Sequence, residues 1–182
     1  MRGYFTFDIR LIGSGDKRLV TQNAKEPFDL DYNLILQKDK KGLIGNPKQI
    51  KDMFIAKFNQ ALENSNMEFK HASNSTSVIT VKIKDEGKIV FVFDVAIIFE
   101  DNAGMFHRLM HDNDNSRYIW NTIPSSRDYL NKYQVVKDKQ YVAEFKDRYL
   151  ALKNKYLSSS EKRKSFSVFL ETLNEYSRLW SN

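Results

Sequence analysis

Two carboxylates spaced two residues apart mark the segment Phe28-Asp-Leu-Asp-Tyr-Asn-Leu-Ile-Leu36. As an extended strand, this segment places Asp29, Asp31 and Asn33 on one face and Phe28, Leu30, Tyr32, Leu34 and Leu36 on the other. The first two acids then lie roughly 7 Å apart along the strand. Drawn to about 4 Å by a shared ligand, they repel by about 4 kcal/mol at an effective dielectric of about 20. A divalent cation removes that cost, and hard carboxylate oxygens suit Mg²⁺. The other use of the same pattern is an edge strand that carries charge against aggregation.

A third carboxylate bears on that choice. Asp94 interrupts Lys88-Ile-Val-Phe-Val-Phe-Asp-Val-Ala-Ile-Ile-Phe99, a segment otherwise apolar on both faces, as a central strand is. A carboxylate in such a strand is costly to bury unless an opposite charge meets it, and no Lys or Arg lies close to it in the segment. If this strand lies beside the one carrying Asp29, three carboxylates meet and a cation makes the arrangement stable. The alternatives are that Asp94 sits at an exposed end of the sheet or pairs with a distant Arg.

The elements that must position these residues follow from periodicity. Residues 4 to 12 alternate, with Phe5, Phe7, Ile9 and Leu11 on one face, and run into Gly13-Ser14-Gly15, where the chain turns. Residues 16 to 27 are polar and end in Pro27, which predicts a loop or short helical turn. Asn46-Pro47 predicts a helix start, with Asn as cap and Pro in the first turn. Ile50, Met53, Phe54, Phe58, Ala61 and Leu62 recur at helical spacing on its apolar face. Residues 64 to 77 read as a polar connection. Strands are predicted over 78–84 and 88–99, joined by Asp85-Glu86-Gly87 as a hairpin. Residues 100 to 117 carry no regular pattern, and from Tyr118 onward the chain reads as helical. Val142, Phe145, Tyr149, Leu152 and Tyr156 form one stripe. Ser158-x-x-Glu161 has the form of a capping box for a last helix striped by Phe166, Phe169, Leu170, Leu173, Tyr176 and Trp180. The expected class is α+β: a core over 1–117 in which a mixed sheet packs with helices, then a helical segment over 118–182.

Composition bounds the function. The 182 residues suffice for one domain with a helical appendage, and 41% hydrophobic with 13% aromatic content can build a core. Cysteine is absent, which excludes disulfide frameworks, thiolate zinc sites and cysteine nucleophiles. No apolar run reaches the about 18 residues of a membrane span and no signal-peptide pattern opens the chain, so the expectation is a cytoplasmic protein without a membrane partner. The net charge of +6, from 29 basic and 23 acidic residues, favours phosphate-bearing partners.

Taken in order, Leu11-Ile-Gly13-Ser14, Phe28-Asp-Leu-Asp-Tyr32 and Phe93-Asp94-Val95 form a strand ending in Gly-Ser, an hDhDh strand and a later hDh strand. That order resembles the DNA polymerase β-like nucleotidyltransferases. Over residues 5 to 178 the chain looks most like the branch with cyclic-oligonucleotide synthases, oligoadenylate synthases and CCA-adding enzymes. Leu150-Ala-Leu-Lys153-Asn-Lys155 resembles that branch's Lys-bearing helix, and Ser165-Phe-Ser167-Val-Phe-Leu-Glu171 the start of its next helix.

The resemblance implies an enzyme that moves a nucleoside monophosphate from an NTP to a hydroxyl and releases pyrophosphate, with Mg²⁺ or Mn²⁺ as cofactor. A nucleotide or oligonucleotide acceptor is mildly favoured. Asp29, Asp31 and Asp94 would be the metal ligands of a two-metal mechanism, Asp29 and Asp31 holding Mg²⁺ on the triphosphate and Asp94 completing the second metal site and helping to deprotonate the acceptor hydroxyl. Gly13 and Ser14 would cradle the phosphates, and Lys153 and Ser167 would reach the triphosphate. Lys155 and Ser165 stand as alternatives to the last two. The other implied reading is an inactive relative that binds nucleotide or nucleic acid. The family places a helix ahead of the Gly-Ser strand, so the chain is expected either to be truncated or to replace that helix with another element.

Two weaker patterns remain. His107 and His111 are spaced to share a helix face, but no Glu follows the first to make a zinc-protease motif. Tyr118, Trp120 and Tyr129 fall outside the apolar stripes and are available to stack on a base.

Overall fold

The computed structural model describes residues 3–13, 27–112, 115–123, 127–159, 161, 163 and 165–179, in two compact units, Met1–Ile123 and Pro124–Asn182. The first unit is built on seven strands: β1 (Phe5–Ile12), β2 (Phe28–Asp39), β3 (Glu68–Asn74), β4 (Ile79–Asp85), β5 (Lys88–Glu100), β6 (Phe106–Asp112) and β7 (Arg117–Thr122). One helix, α1 (Pro47–Glu63), follows a single 3-10 turn. The sheet order is β1-β2-β5-β4-β3, with β6 paired to β5 and β7 to β6. Every pairing is antiparallel except β2 with β5, which is parallel. β5 is therefore central, as its two apolar faces require.

Local chemistry accounts for the main joints. Asn46 caps α1 by accepting the Gln49 amide N–H at 3.1 Å, and Pro47 opens the helix where its missing N–H has no partner to lose. The β4–β5 hairpin turns on Glu86 and Gly87, both at positive φ (48° and 79°), the geometry that matches the twist of the flanking strands. α1 lays Ile50, Phe54 and Leu62 on one face of the sheet, against Phe5, Leu34, Leu36, Ile79, Val81, Val95 and Ile97. Ile50 and Phe54 are almost fully withdrawn from water, each worth about 1.5–3 kcal/mol. The register puts Leu30, Tyr32, Phe93, Val95, Val81 and Ile83 on this same face and leaves Asp29, Asp31 and Asp94 on the other.

Four local expectations are corrected. Residues 64–77 contain strand β3, an edge strand whose apolar signal is reduced to Phe69 and Ala72. Residues 100–117 are not patternless, and 118–122 are not helical, because β6 and β7 form a hairpin that takes up β5 from Ile98 onward, beyond its pairing with β4. Trp120 anchors this hairpin, donating its indole N–H to the Ile44 carbonyl at 2.8 Å and packing edge-on to Phe99. Ser158 ends a helix and does not cap the next one.

The second unit comprises α2 (Arg127–Asp138), α3 (Val142–Ser158) and α4 (Ser165–Leu179). Its core is aromatic: Phe145 meets Tyr133, Phe169 and Tyr176 with ring centroids 5.4 to 5.6 Å apart. The α3 stripe is buried at Phe145, Tyr149, Leu152 and Tyr156. On α4 the buried positions are Val168, Phe169, Thr172 and Leu173, while Phe166 is exposed. Thr172 is accommodated because its hydroxyl donates to the Val168 carbonyl one turn back, at 2.9 Å. Among the described residues, no helix is long and apolar enough to cross a membrane.

Candidate active site

The parallel pairing of β2 with β5 places Asp31 directly beside Asp94, and Asp29 lies one pleat away on the same face. Each of the three offers a carboxylate oxygen, and these oxygens all lie within 4.8 Å of one another. Asp29 is exposed, whereas Asp31 and Asp94 are half-buried, so the cluster opens to solvent on one side. Among the described residues, Asp94 pairs with no Arg, and it lies within its strand and not at its end. β4 supplies Thr80 opposite it, and the Thr80 hydroxyl donates to Asp94 Oδ1 at 2.6 Å. That bond fixes the carboxylate's orientation and occupies one lone pair, leaving the other oxygen for a ligand.

Gly13, directly after β1, lies on the other flank. Ile12 pairs with Asp31, so Gly13 follows beside the carboxylate at a φ of +65°. A Cβ built there would lie 2.9 Å from Asp31 Oδ2. Glycine is required twice, for the left-handed backbone and for the close approach. Ser14 lies outside the described residues. The donor set is three hard oxygens with no His or Cys, which fits a hard divalent cation and not a soft one.

Lys153 and Ser167 lie on α3 and α4 of the second unit. The Lys153 ammonium is 5.9 Å from the centroid of the Tyr149 ring. Ser167 is exposed and lines a shallow surface cavity of about 470 Å³ with Leu170, Glu171, Asn174, Glu175 and Arg178. Lys155 is exposed on α3, and Ser165 is the first residue of α4.

His107 and His111 share a strand, β6, in place of the expected helix. His107 Nε2 lies 2.8 Å from Asp101 Oδ2, and this bond is the largest influence holding the Asp101 carboxyl below its usual range. His111 stacks on Tyr118. Tyr118 also takes a hydrogen bond from the Asn74 side chain, so Tyr118 and Trp120 are both engaged within the first unit.

Sequence reasoning missed two polar residues. Thr80 is one. Lys51 is the other: only 1% exposed on α1, it donates its ammonium to the Ser75 carbonyl at the β3–β4 connection and lies 5.9 Å from the Tyr118 ring centroid. Burial lowers its pKa from 10.5 to about 8. The only signal in the sequence is its place next to Ile50, on the apolar flank of the helix.

A mixed sheet with carboxylates on two parallel neighbours and a glycine beside them is a fold shared with cyclic-oligonucleotide synthases of known structure. Among solved structures, the chain is similar to the Vibrio cholerae cyclic AMP-GMP synthase DncV in complex with the linear intermediate 5′ pppA(3′,5′)pG. The TM-score is 0.61 at 14% identity, covering 93% of this chain and 47% of that one. The 3′-deoxy ATP-bound form of DncV gives 0.61 at 14% identity, over 93% and 45% of the two chains. Escherichia coli MS115-1 CdnC with ATP gives 0.54 at 13% identity, over 97% and 53%. The chain thus spans about half the length of these proteins. No protein-family profile and no curated protein sequence matches it.

Proposed function

We propose that this chain is a metal-dependent nucleotidyltransferase, moving a nucleoside monophosphate from an NTP to a hydroxyl and releasing pyrophosphate. The observation that carries the reading is the convergence of Asp29, Asp31 and Asp94 within 4.8 Å beside the Gly13 turn. Solved relatives of the same fold hold nucleotides: 3′-deoxy ATP in one form of DncV and ATP in CdnC.

Asp29 and Asp31 would hold the cation that accompanies the triphosphate, and Mg²⁺ or Mn²⁺ there would supply positive charge to the α-phosphoryl oxygens and the departing pyrophosphate. Gly13 lets backbone amides approach the phosphates without a side chain in the way. Asp94, with Oδ1 held by Thr80, would complete a second metal site with its other oxygen and help deprotonate the acceptor hydroxyl as the O–P bond forms. The resemblance to the cyclic-oligonucleotide synthase branch favours a nucleotide or oligonucleotide as acceptor. By the same resemblance Ser14, Lys153 and Ser167 would contact the triphosphate, with Lys155 and Ser165 as the alternatives to the last two. On that assignment Lys153→Ala raises the KM for NTP more than it lowers kcat.

The test is incubation with each labelled NTP and Mg²⁺ or Mn²⁺, alone and with nucleotide or RNA acceptors, reading pyrophosphate and product. Asp29→Ala and Asp94→Ala serve as controls. Metal-dependent release that both substitutions abolish is expected. Release surviving either substitution would overturn the mechanism, and NTP-induced thermal stabilisation without turnover would favour a binding module.

A further inference from the structure

Register places two lysines on the face that carries the carboxylates. Thr80, Asp94, Asp31 and Ile12 form one row across β4, β5, β2 and β1. The next row reads Lys70, Lys82, Val92 and Asp29 across β3, β4, β5 and β2. All side chains of these two rows project from the side of the sheet away from α1, because their strand neighbours Phe69, Val81, Phe93 and Leu30 belong to the α1 side. Spacings of about 4.8 Å between strands and 3.3 Å per residue put the Lys82 Cα about 8 Å from that of Asp94, within reach of a lysine stem.

Lys70 and Lys82 stand directly opposite each other, and like charges in that arrangement destabilise a sheet. Along the same two strands Lys84 is neutralised, meeting Glu68 at 3.2 Å while the second Glu68 oxygen accepts the Gly87 N–H. Among the described residues, no carboxylate lies within ion-pair distance of Lys70 or Lys82. Edge protection against aggregation explains an exposed Lys70 on β3, the last strand of the sheet. It does not explain Lys82, half-buried on an interior strand.

The order across this face supplies the reason. Gly13 and Asp31 lie on one flank, Asp94 in the middle, and Lys82 and Lys70 on the far flank. An in-line displacement requires the attacking oxygen and the leaving pyrophosphate on opposite sides of the α-phosphorus. With the triphosphate at the Gly13 turn, the acceptor enters over β4 and β3.

We propose that Lys82 and Lys70 form the site for a phosphate of the acceptor strand, so that the acceptor is an oligonucleotide whose backbone is held while its hydroxyl meets Asp94. This rests on the nucleotidyl-transfer reading for its polarity, and it is tested separately by binding. The probe is a fluorescein-labelled short oligoadenylate, titrated with the full chain by fluorescence anisotropy, with Ca²⁺ in place of Mg²⁺ to suppress turnover. Lys70→Ala and Lys82→Ala each weaken binding about five- to tenfold and flatten the salt dependence by about 0.7 per lysine lost, one single-strand phosphate contact apiece. Lys82→Gln repeats the measurement in case the shorter side chain perturbs β4. Lys57→Ala, on α1 against the opposite face, leaves binding unchanged.

Unaltered affinity and salt slope in both lysine variants would overturn the proposal, as would failure of the wild-type chain to bind the probe. If those results come with intact pyrophosphate release, the lysine site falls and nucleotidyl transfer stands. Lysine-dependent binding with no release from any NTP keeps the site and removes the transfer reading.

Discussion

Gly13 is the position where backbone, sterics and metal chemistry can be separated by substitution. An alanine there retains a φ of +65° only at a cost of about 1–2 kcal/mol. Its Cβ would also stand 2.9 Å from Asp31 Oδ2, where ordinary contact begins at 3.4 Å, so the carboxylate must give way by about 0.5 Å. A ligand constellation tolerates about that much displacement and no more. For a chain of this size each kcal/mol moves Tm by about 2–4 °C, so Gly13→Ala is expected to lose about 2–8 °C. Gly42→Ala isolates the backbone part, because Gly42 has a φ of +70° and nothing within 4 Å of its Cβ. Thermal denaturation with and without saturating Mg²⁺ then divides the contributions. With Mg²⁺ at the proposed site, the wild type is expected to gain Tm on adding it; both variants are expected to melt lower, and only Gly13→Ala to lose that gain. A Gly13→Ala protein that keeps the full Mg²⁺ response, or a Gly42→Ala protein that loses it, would refute the reasoning.

Thr80→Val removes the bond that orients Asp94, and a hydrogen bond to a charged group is worth about 1.5–3 kcal/mol, so Mn²⁺ affinity falls at least about tenfold. Thr80→Ser restores it; equal affinity in Thr80→Val, by calorimetric titration, would show that Asp94 needs no orienting partner. Lys51 gives a pH signature. Its folded pKa of about 8 lies below the ordinary 10.5, so between those values the unfolded chain binds a proton that the folded chain has shed, and stability from this group rises with pH. Wild type therefore gains about 3 kcal/mol on Lys51→Met between pH 8 and pH 10.5 in denaturant unfolding, at about 1.4 kcal/mol per pH unit. Parallel curves for the two proteins would contradict a desolvated ammonium.

The carboxylates were legible because their signals are local. The alternation around Asp29 and Asp31 shows their face, and the apolar run around Asp94 shows a central strand. Thr80 was not legible, and the reason can be read from the hairpin. Counting back from the Glu86-Gly87 turn pairs Asp85 with Lys88 and Lys84 with Ile89, and the same count would set Thr80 opposite Phe93. A bulge between Ile83 and Lys84 shifts the register by one, bringing Thr80 to Asp94. No pattern in Ile79–Asp85 announces that bulge. β3, β6 and β7 escaped for a related cause: their stability comes from neighbours distant in sequence, such as Trp120 reaching the Ile44 carbonyl, and not from their own alternation. The Ser158-x-x-Glu161 pattern failed because Glu161 is used elsewhere, paired with Arg163 at 2.6 Å.

The parallel β2–β5 pair also constrains how the chain reaches this structure. β1 lies a short sequence distance from β2, whereas β5, the partner of β2's other edge, comes some sixty residues later, a separation that slows pairing. During that interval β2 presents a free edge whose outer face begins with two negative charges, a device that discourages pairing with another copy of the same strand. Asp29 and Asp31 are therefore expected to keep the newly made chain soluble. Replacing both with neutral residues is a change whose first effect falls on soluble yield, ahead of any assay of activity.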